Sequence, residues 1–383
     1  MIEKSIGGLP SERNVPLVED QSGDSTPEFS NRLMNSYQAT KGGMIIETGN
    51  YPEPHFFTQV SEFELWLGDL EKHIGLPLGR KLAHSAAESE EFRLQKKKAQ
   101  MPNSLFNKMK KRLDWINLSW ELRGLGVLEL MNKDKDCTKM IVHKRAHSAF
   151  AAGMASSTYE ILSNSRYRFH WTDDGNSESL VTLELDPRKI PQAEKIVPSW
   201  IDAELKHSII QDSHPLSLAY HETPGTWSID GFRMMGISQD LLIRFEESIM
   251  PQLIDDKSIQ DEKFVWKNIT DSERKKTWNG FADASRKRFI ASEEMVLVAE
   301  AEHWKNLGNR FLSRFGLGSI DFAESIDSHG GVKINLSLLF HPALVAGILT
   351  AAWERAEARP AKCEWSCHEN GHMIQICSLH ELA

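Results

Sequence analysis

The chain has 383 residues and a mass of 43.5 kDa, which is longer than a single hydrophobic core usually supports, so two domains are expected. Its mean hydropathy of -0.42 and the lack of a long apolar run exclude a membrane span. The first residues, MIEKSIGGLPSERNVPLVEDQ, lack the apolar core of a secretory signal, and the four cysteines do not form the framework of a secreted chain, so a cytoplasmic protein is expected. A net charge of -9 excludes a dominant polyanion-binding surface, though not a local basic patch.

Residues 1–41 are rich in Ser, Pro, Asn, Asp and Glu, and they read as a disordered or loosely packed arm. GGMIIETGN, from Gly42, reads as a short strand between glycine turns. In SEFELWLGDLEKHIG (61–75), Phe63, Leu67, Leu70 and Ile74 recur at helical spacing. Ser61 with Glu64 suggests a capping box, and Gly75 and Pro77 suggest the stop. Further helices are expected over 78–97 and 103–123.

An internal repeat dominates the rest of the chain. Gly124-Leu125-Gly126 recurs 192 residues later as Gly316-Leu317-Gly318, and His147, Gly153, Glu160 and Trp171 recur 194 residues later as His341, Gly347, Glu354 and Trp365. Self-similarity at a fixed offset is the mark of duplication. The chain therefore divides into a first module (42–186), a linker (187–224) and a second module (225–383). The fold class expected is α+β, with two similar modules of helices packed on antiparallel strands in a pseudo-twofold arrangement.

Each repeat carries a small-residue helix entered at a histidine and followed by a hairpin. A glycine inside each helix, Gly153 or Gly347, points to close approach by another backbone or by a ligand. His147 and His341 suit either a ligand pocket or a cap for the helix that follows. Glu160 and Glu354 lie near helix C-termini, where a carboxylate needs a partner. Candidates are Arg166 or Arg168 for Glu160 and Arg355 or Arg359 for Glu354, or a ligand in either case. The ligand-binding set expected is thus His341, Gly347, Glu354, Trp365, His147 and Glu160. Asn370-Gly371, as central turn residues, would place Cys367 opposite Ile374 and Trp365 opposite Ile376.

Cys363, Cys367, His368, His372, Cys377 and His380 are the residue types zinc prefers. In an extended strand Cys363 and Cys367 stand about 13 Å apart, too far to share an ion, which leaves Cys367 and His372 as the metal candidates. The run 93–112 carries eight Lys or Arg and no acid, and could meet an acidic partner or nucleic acid. No nucleotide loop, nucleophile elbow or metalloprotease motif is present, so whether the chain is an enzyme stays open.

The stretch FHPALVAGILTAAWERAEARPAKCEWSCHENGHMIQI resembles the end of the 4-vinyl reductase-type ligand-binding domain, which is related to the TRAPP-component and haem-NO-binding-like folds. Gly347, Arg359-Pro360, Glu364, Cys367 and Gly371 carry the match, and LGRKLA (78–83) looks like the family's opening helix. The resemblance implies a pocket for a small hydrophobic molecule, and zinc held by Glu, Cys and a later Cys. The later position here falls on Gln375. Three functions follow as expectations: binding or sensing a hydrophobic molecule, an enzyme on a tetrapyrrole-like or other hydrophobic substrate, or a scaffold or assembly subunit, possibly associated with nucleic acid.

Overall fold

The computed structural model describes residues 26–49, 52–133, 137–175, 177–188, 190–200, 219–253, 263–369 and 371–380. The chain begins with α1 (Thr26–Ser36), β1 (Tyr37–Ala39), β2 (Ile45–Glu47) and β3 (Glu53–Gln59), and continues through α2 (Val60–Ile74), α3 (Gly79–Lys96) and α4 (Lys108–Leu122). Next come β4 (Val127–Lys133), β5 (Cys137–His143), α5 (Ser148–Ser163), β6 (Tyr167–Asp173) and β7 (Ser179–Leu185). The remainder follows a similar order, without a counterpart of α1 and with an added strand, β11 (Phe264–Trp266). It comprises β8 (Ala219–Thr223), β9 (Thr226–Ile229), β10 (Phe232–Ser238), α6 (Gln239–Ile249), β11 (Phe264–Trp266), α7 (Ser272–Ala291), α8 (His303–Phe311), β12 (Phe322–Ser325), β13 (Val332–Leu336), α9 (Pro342–Glu357), β14 (Ala361–His368) and β15 (Gly371–Ser378).

The architecture is α+β, with three sheets in the orders β1-β2-β3-β10-β9-β8, β4-β5-β7-β6 and β11-β14-β15-β13-β12. All pairings are antiparallel except β11 on β14. No helix among the described residues is long and apolar enough to cross a membrane.

The same contacts occur twice. α5 packs on α3, and α9 packs on α7. Across the middle, α2 meets α7 and α3 meets α6, while β3 pairs with β10 to join the two halves in one sheet. Each Gly-Leu-Gly reaches the other half: the Gly126 amide donates to the Gly225 carbonyl (3.0 Å), and the Gly318 amide to the Gly43 carbonyl (3.1 Å).

Several expectations need correction. Residues 26–41 are built into the fold. Phe29, Leu33 and Tyr37 are buried against Phe57 and Trp227, because α1 and β1 cover an otherwise exposed side of the long sheet; residues 1–25 lie outside the described part. The linker region supplies a strand, β8, and a buried Trp200, while 201–218 lie outside the described residues. α2 starts directly from β3, with Gln59 at its N-cap and no side-chain cap, so Ser61 is already inside the first turn and the capping box does not form. Its end is as expected, with Gly75 left-handed (φ 76) and donating to Glu71 O. The C-terminal hairpin is shifted by two residues from the expected pairing: Trp365 faces Ile374, Cys363 faces Ile376 and Cys367 faces His372. A two-residue slip preserves which face is buried, and Cys363, Trp365, Ile374 and Ile376 still point into the core.

Candidate functional site

The histidines, glycines and glutamates singled out by the sequence comparison make local structural contacts. His147 and His341 are the N-caps of α5 and α9, each Nδ1 accepting from the amide two residues on (3.2 Å in both). A Cβ on Gly153 would collide with the carbonyl oxygen of Ala83 in α3, and one on Gly347 with that of Ala282 in α7. The glycines therefore set the closeness of each helix pair and do not line a pocket. Glu160 accepts from Arg166 (2.8 Å) and from the Tyr167 amide (2.8 Å). Glu354 accepts from Lys263 and Arg286 (2.8 Å each) and from the Ala361 amide (3.2 Å). Each carboxylate thus ties the end of its helix to the next strand. The partners expected in the second half are engaged elsewhere: Arg355 donates to the Ile290 carbonyl in the last turn of α7 and to the Glu294 carbonyl beyond it, and Arg359 pairs with Glu357. Arg168 instead reaches Asp186. Trp365 is buried among Trp266, Trp278 and His372, whereas its counterpart Trp171 is only partly buried, beside Phe169.

His341 is wholly buried. Because Nδ1 accepts the cap bond, Nε2 carries the proton and donates to Glu246 (3.1 Å). Glu246, equally buried, also accepts from Trp278 Nε1 (2.9 Å) and pairs with Arg274 (3.2 Å). Trp200, Trp278 and Phe281 enclose the imidazole. This is a satisfied polar nucleus sealed from solvent.

Among the described residues the hairpin cysteines and histidines do not form a group of three metal ligands. Burial pushes the Cys363 thiol up to about 12, so it stays protonated, and Cys367 lies against the Trp200 carbonyl (3.4 Å). Glu364 pairs with Lys267. Cys367 and His372 face each other as a pair, with no third ligand from another element among the described residues. His147 and His372 are held down to about 4, chiefly because burial disfavours the imidazolium; Arg145 adds to this at His147 and His368 at His372, while Asp173 opposes it at His147. Unfolding near pH 5 therefore takes up protons at both. Stability is expected to be fully present above 6.5 and to be lost as pH falls towards 4, by about 1.4 kcal/mol per pH unit for each proton. Urea titrations across this range, compared with His147→Asn and His372→Asn, check the slope; an unchanged slope in both variants refutes the assignment.

The basic run 93–112 does not present one free basic surface. Arg93 is buried and Lys97 largely so, and both are consumed by Glu47 (3.1 and 2.6 Å). Around them lies a buried charge cluster. Glu90 pairs with Arg123 (2.9 Å) and accepts from Trp120 Nε1 (3.1 Å), and Arg93 also contacts Ser119. β3 adds Glu53 and His55 beside Glu47 of β2. The guanidinium of Arg93 and the ammonium of Lys97 outweigh burial and hold the Glu47 carboxyl well below the usual range. Burial, with the Glu47 charge, pushes Glu53 up to about 7. None of the ligand or metal candidates read from the sequence lies here, although Arg93 and Lys97 belong to the basic run. Glu53-x-His55-x-Phe57 alternates polar and aromatic residues on one strand face, but only the pairing with β2 shows that Glu47 stands opposite.

An apolar concavity lies between the halves. About 560 Å³ is enclosed by Phe56 of β3, Phe63 and Trp66 of α2, Phe289 of α7, Phe311 of α8, and Leu344 and Ile348 of α9, with Met234 and Phe232 of β10 closing one side. Trp66 Nε1 donates to Ser285 Oγ (3.1 Å), so its ring presents only an apolar surface. At the rim Arg310 pairs with Glu294 (2.5 Å), Arg314 with Asp230 (2.7 Å) and Arg288 with Glu62 (3.4 Å), leaving the mouth polar and close to neutral. The sequence offered no signal for this cavity, whose lining comes from elements more than 200 residues apart.

No protein-family model matches the chain, and no curated protein matches it significantly.

Proposed function

We propose that this protein binds a small hydrophobic molecule in the cavity between α2, α7, α8, α9 and β10. The observation that carries this reading is the lining: aromatic and aliphatic walls around about 560 Å³, within the range of ligand sites, under a rim of arginines already neutralised by acids. A strongly anionic ligand would have to displace those acids, and a wholly polar one would leave the walls unsolvated. The resemblance to the 4-vinyl reductase-type domain supports the same ligand class, with the pocket at the boundary between modules, where Leu344 and Ile348 of α9 line it and His341 does not.

We further infer that the two halves descend from one duplicated module. The repeated element order, the paired Gly-Leu-Gly contacts and the two glycine-mediated helix pairs support this. β3 runs into α2 as β10 runs into α6, which sets His55 over Met234 and Glu53 over Phe232. The glycine contacts set Glu90 over Phe289 and Arg93 over Ser292. On this alignment the second half's share of the cavity wall (Phe232, Met234, Phe289 and Ser292) and the first half's buried charge cluster occupy related places, one apolar and open, the other filled by charge.

The test uses the fluorophore N-phenyl-1-naphthylamine, which brightens in apolar surroundings, on the full-length protein. Saturable binding at one site is expected. Ile348→Trp, which fills the cavity from a partly buried position, is expected to weaken it by about ten-fold or more, equivalent to about 1.4 kcal/mol. Absence of binding, or binding indifferent to Ile348→Trp in a folded variant, overturns the reading.

A further inference from the structure

We propose that Glu47, Glu53 and His55 hold a divalent transition-metal ion of the zinc class, at a site separate from the apolar cavity. The argument begins with the sheet. Glu47 of β2 and Glu53 of β3 are directly opposed partners, and His55 lies two residues along β3 on the same face. Like charges facing each other across strands repel, and the arrangement persists only if a cation lies between them or a proton is taken up. The cations nearby do not fill that role: Arg93 Nη2 and Lys97 Nζ both bind Glu47 Oε1. Glu47 Oε2 is buried and has no hydrogen-bond partner among the described residues.

The imidazole supplies the second, independent observation. His55 is wholly buried, and its Nδ1 lies 3.1 Å from the Glu53 carbonyl, to which it donates. That fixes the proton on Nδ1 and leaves a lone pair on Nε2, which has no partner among the described residues. An imidazole whose outer nitrogen is held by a backbone carbonyl while the inner one offers a lone pair is the usual state of a metal-ligating histidine. One ligand atom from each of the three residues lies within 4.8 Å of the others. Donors sharing one ion at about 2.1 Å stand roughly 3.4 Å apart, a gap that small side-chain rotations close. One nitrogen and two carboxylate oxygens favour zinc or a neighbouring transition ion over magnesium or calcium, which prefer all-oxygen sites. Glu53 is only partly buried and gives the ion a way in. Bound there, the ion would join β2 to β3 and, through Glu47, brace both against Arg93 and Lys97 of the α3 end.

Metal content of the full-length protein, purified without chelator, gives the first measurement. About one equivalent is expected, as is the visible absorption of a nitrogen- and oxygen-ligated ion after cobalt exchange. His55→Asn is expected to lose the metal, whereas Cys367→Ser and His372→Asn keep it. Should His55→Asn fail to fold, the wild-type melting temperature decides: a chelator lowers it and zinc restores it. A folded wild-type protein that carries no metal and does not respond to zinc overturns the proposal, as does metal lost with Cys367→Ser but retained in His55→Asn.

Discussion

Gly153→Ala and Gly347→Ala are each expected to destabilise the protein by about 3 kcal/mol or more, although alanine is the better helix former by about 1 kcal/mol. The reason is contact with backbone. The added methyl would meet the Ala83 carbonyl in α3 or the Ala282 carbonyl in α7, and a carbonyl inside a helix cannot swing aside as a side chain would. The helix pair must separate, and the loss spreads to its neighbours Ala86, Ala149 and Ala152, or Ala346 and Ala351, all buried. Gly68 is the control. It sits inside α2 with nothing near its absent Cβ, so Gly68→Ala is expected to stabilise by about 0.5–1 kcal/mol. Urea denaturation of the three variants measures the contrast, and a Gly153→Ala protein as stable as Gly68→Ala would mean that α3 and α5 do not touch as described.

The second large effect belongs to His341. His341→Leu removes both the cap of α9 and the hydrogen bond to Glu246, leaving a buried carboxylate with Trp278 and Arg274 alone. Breaking one partner of a buried ionic group costs about 3–5 kcal/mol, and loss of a cap about 1 kcal/mol. The remaining partners soften the first figure, so a total near 3–4 kcal/mol is expected. His341→Asn keeps a capping side chain but cannot reach Glu246, and the difference between the two variants isolates the cap. In a double-mutant cycle with Glu246→Gln the losses are expected to be strongly non-additive. Variants that fold should bind the apolar fluorophore as the wild type does, because His341 does not line the cavity. Weakened binding with unchanged stability would return His341 to the pocket. The counterpart His147 caps α5 next to Phe63 and Phe150 and has no buried carboxylate partner among the hydrogen bonds formed by the described residues, so His147→Asn is expected to cost less.

Much of the local structure was legible in the sequence. Periodic apolar residues mark α2, and the helix expected over 78–97 is α3; the glycine of the repeat marks a close helix contact, and its histidine and glutamate mark a helix start and a helix-to-strand tie. These are short-range effects: a cap reaches two residues along the chain, and the glutamate tie seven. Three of the paired positions that looked like a site, the histidine, glycine and glutamate, serve instead as helix caps, helix contacts and helix-to-strand ties.

Tertiary structure decided the rest, because it turned on which distant segments met. α1 has too few apolar residues to announce itself, and it is held only because Phe57 and Trp227, from opposite halves, expose a surface for Phe29 and Tyr37. The hairpin register followed the fit of Trp365 and Ile374 into the core and not the favoured Asn-Gly turn, since a slip of two residues keeps the same face inward. Arg93 and Lys97 looked like part of a basic surface until α3 laid them against Glu47. The cavity and the Glu47, Glu53 and His55 cluster both depend on β2, β3 and β10 lying side by side, with β3 and β10 nearly 180 residues apart, and no pattern within a single strand or helix encodes that meeting.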